Sequence, residues 1–241
     1  MFFYDTPTAM SHYEFSQTIF VENFPPISVT SIHEDALKRT ILNNFLESIV
    51  DGRIGVAPAF GRQRVLSEIA LSSSSQVLVV RLSKGRSNQP APIGRKNPPK
   101  KGRDLLRSAI FCHPSRRKYA FKMDKFAAAL LLDLGYHLTL GIDLLSASNR
   151  DRDSLDAILD ILGGEKKLHK RAVRAEFEEK EDIALRAWTA CRAATLLSMG
   201  PRLKTISPID TTIDEPVRYG FSRFQYTVTH ARTGSWRSRQ D

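Results

Sequence analysis

The sequence predicts an α/β fold in which a mixed sheet is flanked by helices. The first observation is a set of three short apolar runs, at residues 53–57, 64–71 and 76–82, which are rich in β-branched side chains. Turn-forming residues separate these runs, so they predict a three-stranded meander. The second observation is that helical and strand patterns alternate after residue 103, which is typical of α/β domains. A chain of 241 residues with 41% hydrophobic residues can form one such domain.

The region before the meander predicts an arm and a helix. Residues 1–30 show no clear periodicity and are expected to form an N-terminal arm of uncertain order. Ser31 and Glu34 have the spacing of a capping box, in which each side chain caps the other's backbone amide. This box predicts a helix that continues to Val50, and Asp51-Gly52 predicts the turn that ends it.

The region after the meander predicts further helices and strands, which complete the main domain at residues 31–200. Gly135 is a natural C-cap for one of these helices, and Pro201 is expected to end the last one. Residues 201–241 mix basic and aromatic side chains and are expected to form a C-terminal tail. The predicted elements are a helix at 104–111, a strand at 118–121, a helix ending at 135, a strand at 137–143 and helices at 151–162 and 176–199.

A basic loop is predicted directly after the third strand of the meander. Residues 84–103 contain seven Lys or Arg and four Pro, with no acid and no apolar periodicity, so the loop is expected to be flexible. The formal net charge of +10 also favours a polyanionic partner such as nucleic acid. A solvated loop and a nuclear localisation signal are the alternatives. The predicted nucleic-acid-binding residues are Lys84, Arg86, Arg95, Lys96, Lys100, Lys101, Arg103, Arg116, Arg117 and Lys118.

Composition excludes several other classes of function. Two cysteines, Cys112 and Cys191, are too few for a disulfide framework or a zinc site, and they indicate a reducing compartment. No apolar run approaches the length of about 18 residues that a membrane span needs. The start of the chain lacks the pattern of a signal peptide. Nucleus or cytoplasm is therefore the expected location, and a membrane is not an expected partner.

Several local phrases occur together in a fixed order. The first is Ile54-Gly55-Val56-Ala57-Pro58-Ala59 in the first strand of the meander. The second is the segment 116–124, which ends at Asp124 and is followed by Leu134-Gly135. Asp143 ends a later strand, and a Ser-Leu phrase begins at Ser154.

The last phrase, residues 186–196, lies on the final predicted helix. In this order the phrases resemble the DEDD 3′–5′ exonucleases of the RNase D and Werner-type branch. The resemblance covers roughly residues 32–200 and implies an RNase H-like fold. The family has four metal-binding carboxylates, and the resemblance puts Ala57, Ala59, Asp124 and Cys191 at their positions. It puts Ala187 at the position of a tyrosine that orients water.

The chain departs from this pattern at most of its chemical positions. Only Asp124 is a carboxylate, whereas two divalent ions about 4 Å apart need several carboxylate oxygens. Asp124 is either a ligand for one weakly bound metal or a solvated or capping residue near a helix start. Cys191 is expected to be inert packing rather than a reactive thiol.

The sequence thus predicts a degenerate 3′–5′ exonuclease-like domain that binds nucleic acid or serves as an adaptor in a larger nucleic-acid-processing complex. No intact catalytic set and no cofactor are expected, and Mg²⁺ or Mn²⁺ would matter only if activity remains. The first alternative is an active or residual metal-dependent exonuclease on RNA or DNA. The second alternative is a protein-interaction scaffold that does not bind nucleic acid.

Overall fold

Seven strands form one mixed sheet in the order β1-β2-β5-β4-β3-β6-β7. The computed structural model describes residues 10–61, 63–83, 101–163, 167–179 and 182–212. The strands are β1 (Ser11–Phe15), β2 (Ile27–His33), β3 (Arg53–Phe60), β4 (Leu66–Ser72), β5 (Gln76–Arg81), β6 (Arg117–Ala120) and β7 (Gly141–Asp143).

The centre of the sheet has the predicted arrangement. Strands β3, β4 and β5 pair antiparallel as a meander, β6 pairs parallel with β3, and β7 pairs parallel with β6. This arrangement, a three-stranded meander with two parallel strands added beside β3, is consistent with the RNase H-like fold that the resemblance implies. The predicted α/β fold class is therefore confirmed.

Helices cover both faces of the sheet. Leu42, Phe45 and Phe126 pack on one face with Ile54 and Val56 of β3. Ile158, Val173 and Trp188 pack on the other face, in a cluster with Ala57. The α-helices are α1 (Arg39–Glu47), α2 (Lys101–Leu106), α3 (Met123–Ala129), α4 (Leu155–Gly163), α5 (Lys170–Arg174), α6 (Ile183–Thr195) and α7 (Met199–Lys204). Single π-helical turns follow α2, α3 and α5 directly.

The N-terminal part of the chain differs from its prediction. Residues 27–33 form β2, which pairs parallel with β5, so Ser31 lies in a strand and caps no helix. The alternating Ile27 and Val29 are fully buried, and this burial outweighs the local capping signal. The predicted helix is therefore wrong before Arg39, where α1 begins. Strand β1 extends the sheet beyond β2, so the described part of the expected arm, 10–30, contains β1, the start of β2 and the connection between them.

Other boundaries also differ. Strand β7 has only three residues, because the segment before it, 137–140, lies outside the ladder. The predicted helix at 176–199 is divided, and α6 begins after Asp182, whose side chain accepts hydrogen bonds from the amides of Ala184 and Leu185. Pro201 lies in the first turn of α7 instead of ending a helix, which is possible because amides in a first turn need no helical partner. Within the described part of the chain, no helix is long and apolar enough to cross a bilayer.

Two predicted segments lie largely outside the described residues. Of the basic loop at 84–103, the part at 84–100 is outside them, and residues 101–103 form the first turn of α2 rather than loop. Of the tail at 201–241, residues 201–212 are described. They contain α7 and a bridge from Ile209 to Gly141.

Candidate functional site

A cavity lies beyond the carboxyl ends of the parallel strands β3, β6 and β7. Its walls come from the end of β3, the start of α3, the turn after β7, the start of α4, the π turn after α5 and one turn of α6. Ligands of open α/β sheets bind at this edge, because the loops that follow parallel strands meet there. The cavity has a volume of about 260 Å³, slightly below the usual range of about 300–1,000 Å³ for small-molecule pockets. We call it the strand-end pocket.

Ala57 and Ala59, two of the predicted carboxylate positions, lie on the wall of the strand-end pocket. Ala57 and Ala59 are alternate residues of a strand, so their side chains point to the same side of the sheet. Ala57 is buried and Ala59 is half-buried. Their methyl groups offer no oxygen to a metal ion. The two predicted positions therefore lie together at one pocket, where their side chains are apolar.

Ala187 and Cys191, two further positions at which the resemblance implies site residues, pack against β3 and are not in the pocket lining. Helix α6 lies so close to β3 that a Cβ atom on Gly55 would be 2.0 Å from the carbonyl oxygen of Ala187. The same Cβ would lie 2.7 Å from the Cβ of Cys191. Burial raises the pKa of the Cys191 thiol to about 11, so at neutral pH the thiol is protonated and unreactive. This agrees with the prediction of a packing role.

Arg152, which lines the pocket, joins two carboxylates that lie outside the lining. Its guanidinium Nη2 lies 2.5 Å from Oδ2 of Asp143 and 3.4 Å from Oδ2 of Asp124. Asp143 is buried and also accepts hydrogen bonds from the Met123 amide and the Ser146 hydroxyl. Asp124 is about half exposed, in the first turn of α3. Both carboxylates therefore already face a fixed positive charge.

The residues that are present do not fit the pair of metal ions that the resemblance implies. Among the described residues, no group of three His, Cys, Asp or Glu side chains could hold a metal ion. The carboxylates of Asp124 and Asp143 both contact the guanidinium of Arg152, which already supplies the positive charge that a metal ion would bring. Three or more anionic donors would be needed to compensate two divalent cations.

Four cations line the strand-end pocket together with two acids. Lys122 and Lys125 share Asp153, at 2.9 Å and 3.8 Å, and all three side chains are substantially exposed. Arg152 and Arg186 are the other two cations, and Glu178 is the second acid. Exposed ion pairs of this kind are worth little in water. The two lysines can therefore exchange Asp153 for a phosphate at little cost.

Arg186 fixes the aromatic wall of the pocket. Its guanidinium donates to the carbonyl oxygen of Glu176 and lies 5.6 Å from the ring centre of Phe177. Phe177 in turn packs edge to face with Phe121, with 5.0 Å between ring centroids. The Glu176 carboxylate lies 3.4 Å from Arg186, but burial raises its pKa to about 7 despite this positive neighbour. Two aromatic rings are thus held at the entrance to a cationic pocket.

No protein-family model matches the chain, and no curated protein sequence matches it. Among solved structures, it is similar to a crystal structure of the EXD2 exonuclease domain soaked in Mn and dGMP. The identity is 18% and the TM-score is 0.36, over 81% of this chain and 100% of that chain.

Two of the basic residues predicted to bind nucleic acid within residues 101–118 are not available at the surface. Lys118 is fully buried and donates to the carbonyl oxygens of His113 and Thr139, so it cannot contact a phosphate. Burial lowers its pKa to about 8. Arg103 is mostly buried in an ion pair with Glu34. These two assignments are corrected.

The other members of the predicted surface differ in exposure. Arg116 is half-buried and donates to the carbonyl oxygen of Ala109, whereas Lys101 and Arg117 are exposed. The remaining five, Lys84, Arg86, Arg95, Lys96 and Lys100, lie outside the described residues, so their assignment stays a prediction.

The basic residues that line the strand-end pocket were not predicted from the sequence as site residues. Lys122 and Lys125 flank Asp124, and this alternation of cations and an acid at a helix start was the available signal. Arg152 gave no comparable signal, because only the fold brings it to Asp124 and Asp143.

Proposed function

We propose that this chain is a 3′–5′ exonuclease-like domain that has lost hydrolysis and binds a nucleic-acid strand at the strand-end pocket. In this role it would act as a binding or adaptor module of a nucleic-acid-processing assembly. The observation that carries the proposal is the position of Arg152, whose guanidinium spans Asp124 and Asp143 at the pocket.

Loss of hydrolysis follows from the donor chemistry. Two-metal hydrolysis needs ions that hold both the attacking and the leaving oxygen. With Ala57 and Ala59 on the pocket wall and Arg152 against the remaining carboxylates, the pocket favours an anion rather than a cation. The phosphate of a nucleotide is such an anion, and charged donors form strong hydrogen bonds to it.

Binding is supported by the combination of cations and aromatic rings. Lys122 and Lys125 can meet backbone phosphates, and each such contact releases counterions from the nucleic acid. Phe121 and Phe177 can stack a base, which is worth about 1–3 kcal/mol in single-strand-binding proteins. The small cavity volume suits one terminal nucleotide better than a duplex.

The first experiment follows binding and cleavage together. Labelled single-stranded RNA and DNA are incubated with the protein, with Mg²⁺, with Mn²⁺ or with a chelator. Fluorescence anisotropy reports binding, and denaturing gels report shortening. We expect binding without shortening, at an affinity that the chelator leaves unchanged.

A pair of variants locates the binding surface. Lys122→Gln/Lys125→Gln removes two charges from the pocket, and Lys38→Gln/Arg39→Gln removes two exposed charges at the start of α1, outside the pocket lining. We expect about a tenfold loss of affinity in the first variant and a much smaller loss in the second. Equal losses would contradict binding at the pocket.

Two other outcomes would support the alternatives. Metal-dependent shortening that Asp124→Ala abolishes would indicate a working exonuclease. If the folded protein neither bound nor cleaved any strand, the proposal would be wrong and a protein-interaction scaffold would be favoured.

A further inference from the structure

A second basic surface lies on α5 and the segment before it. Lys167, Lys170, Arg171 and Arg174 are all exposed within eight residues. Val173, on the same helix, is fully buried and anchors it to the core. The cations are therefore held on a packed helix, unlike those of a free loop.

These cations line a groove between α4 and α5. Lys170, Arg171 and Arg174 form one side of it, and the other side consists of Leu155, Asp156 and Leu159. The groove has a volume of about 520 Å³ and contains one acid against three cations. We call it the α4–α5 groove.

The α4–α5 groove adjoins the strand-end pocket. Leu155 lines both cavities. The Arg174 guanidinium also lies 3.4 Å from the Glu178 carboxylate, which belongs to the pocket lining, and both side chains are at least half exposed. A ligand can therefore pass from one cavity to the other along Leu155, past an ion pair that is weak in water.

We propose that the α4–α5 groove binds the phosphate backbone of a single nucleic-acid strand whose last nucleotide occupies the strand-end pocket. This inference rests on the proposed function and extends it to a path for the strand. The cations of the groove meet phosphates, and the aromatic rings of the pocket meet the base. Single-strand-binding proteins combine these two elements, a cationic track and a stacking platform.

A nucleic-acid backbone fits the groove better than a membrane surface does. The apolar residues of the groove, Leu155 and Leu159, are half-buried between the two helices and cannot insert into lipid. The surface is also concave and continuous with a pocket that has aromatic walls. An extended, regularly charged strand matches this shape, and a planar surface does not.

The test compares two variants on oligonucleotides of two lengths. Lys170→Gln/Arg171→Gln removes two cations from the groove, and the matched control Lys38→Gln/Arg39→Gln removes two exposed cations elsewhere. A short probe of about 3 nucleotides reaches only the pocket, and a long probe of about 12 nucleotides also covers the groove. Both probes are made as RNA and as DNA, and circular dichroism verifies that each variant is folded.

The groove variant should bind the long probe about tenfold more weakly than the wild type. It should also show a salt dependence that is less steep by about 1.4 in log–log slope, because two phosphate contacts are lost at about 0.7 each for a single strand. Its affinity for the short probe should be unchanged. The control variant should resemble the wild type with both probes.

The other outcomes separate this inference from the proposed function. If the short probe binds and the groove variant binds the long probe as tightly as the wild type does, the inference is wrong, whereas binding at the pocket is still supported. If no short probe binds but the long one depends on Lys170 and Arg171, the pocket proposal fails and the groove remains. Binding of phosphatidylserine vesicles in place of either probe, with the same dependence on these two cations, would overturn the inference in favour of a membrane surface.

Discussion

Gly55 is the position where a single methyl group should separate helix α6 from the sheet. The residue lies on β3, directly beneath α6. Alanine at this position would put its Cβ atom 2.0 Å from the Ala187 carbonyl oxygen and 2.5 Å from the Cys191 amide nitrogen. Ordinary contacts between non-bonded heavy atoms are about 3.5–4.0 Å. Since both neighbours are backbone atoms, α6 itself would have to move by roughly 1.5 Å.

The cost of this movement can be bounded from the packing. Overpacking a core costs about 1–3 kcal/mol and occasionally more. We expect Gly55→Ala to reach the upper end, about 3 kcal/mol, because the fully buried Trp188 and Ala190 move with the helix. With a urea m-value of about 1–3 kcal/mol/M, this loss lowers the unfolding midpoint by about 1–3 M. Because α6 carries Arg186, oligonucleotide affinity should fall as well.

Urea unfolding followed by circular dichroism measures the effect, and Gly200→Ala is the matched control. Gly200 lies in α7 with nothing within 4 Å of its added Cβ, and its backbone suits alanine. This control should be stabilised by about 0.4–1 kcal/mol, because alanine restricts the unfolded chain. If Gly55→Ala were as stable as the wild type, the close approach of α6 and β3 would be wrong. The location of Ala187 and Cys191 against β3 would then be wrong with it.

Three further predictions concern buried charges. Burial alone would raise the pKa of Glu34, but hydrogen bonds from Arg103 and Ser83 lower it from 4.5 to about 2. The wild type should therefore be more stable than Glu34→Gln by up to about 3 kcal/mol at pH 7. This difference should shrink as the pH falls from 4.5 to 2. Burial raises the pKa of Glu176 from 4.5 to about 7, so the wild type should lose urea resistance between pH 4.5 and 7, and Glu176→Gln should not. Burial lowers the pKa of Lys118 from 10.5 to about 8, so the stability of the wild type relative to Lys118→Met should rise between pH 8 and 10.5. The two proteins should bind an oligonucleotide with the same affinity at neutral pH. A loss of affinity in folded Lys118→Met would contradict its burial.

The sequence predicted the centre of the fold because the signals there are local. The meander has β-branched runs separated by turns, and α3 and its π turn end at Gly135, which has the positive φ of a C-cap. The prediction for the N-terminal part of the chain was wrong for the opposite reason. Ser31 and Glu34 have a local capping spacing, but pairing of β2 with β5, more than forty residues later, decides their conformation.

The elements that carry the candidate site residues could be predicted for the same reason. The positions of Ala57, Ala59 and Asp124 follow from the strand and helix that carry them. Lys118 could not be distinguished from Arg117 in a basic run, although one is buried and the other exposed. Only the packed structure shows that the Lys118 ammonium lies against carbonyl oxygens.

The proposed function requires a phosphate to be held without the carboxylates that the resemblance implies. In a two-metal site the ions supply the positive charge that faces the phosphate, and the carboxylates exist to hold the ions. Removing the carboxylates without adding cations would leave a bound phosphate uncompensated in a partly apolar pocket, which is costly. Lys122 and Lys125, whose ion pairs with Asp153 are exposed, can provide that compensation directly from the protein. Under the proposed function, binding therefore requires no divalent metal, and because the charges are fixed side chains, the affinity is expected to depend on salt concentration instead.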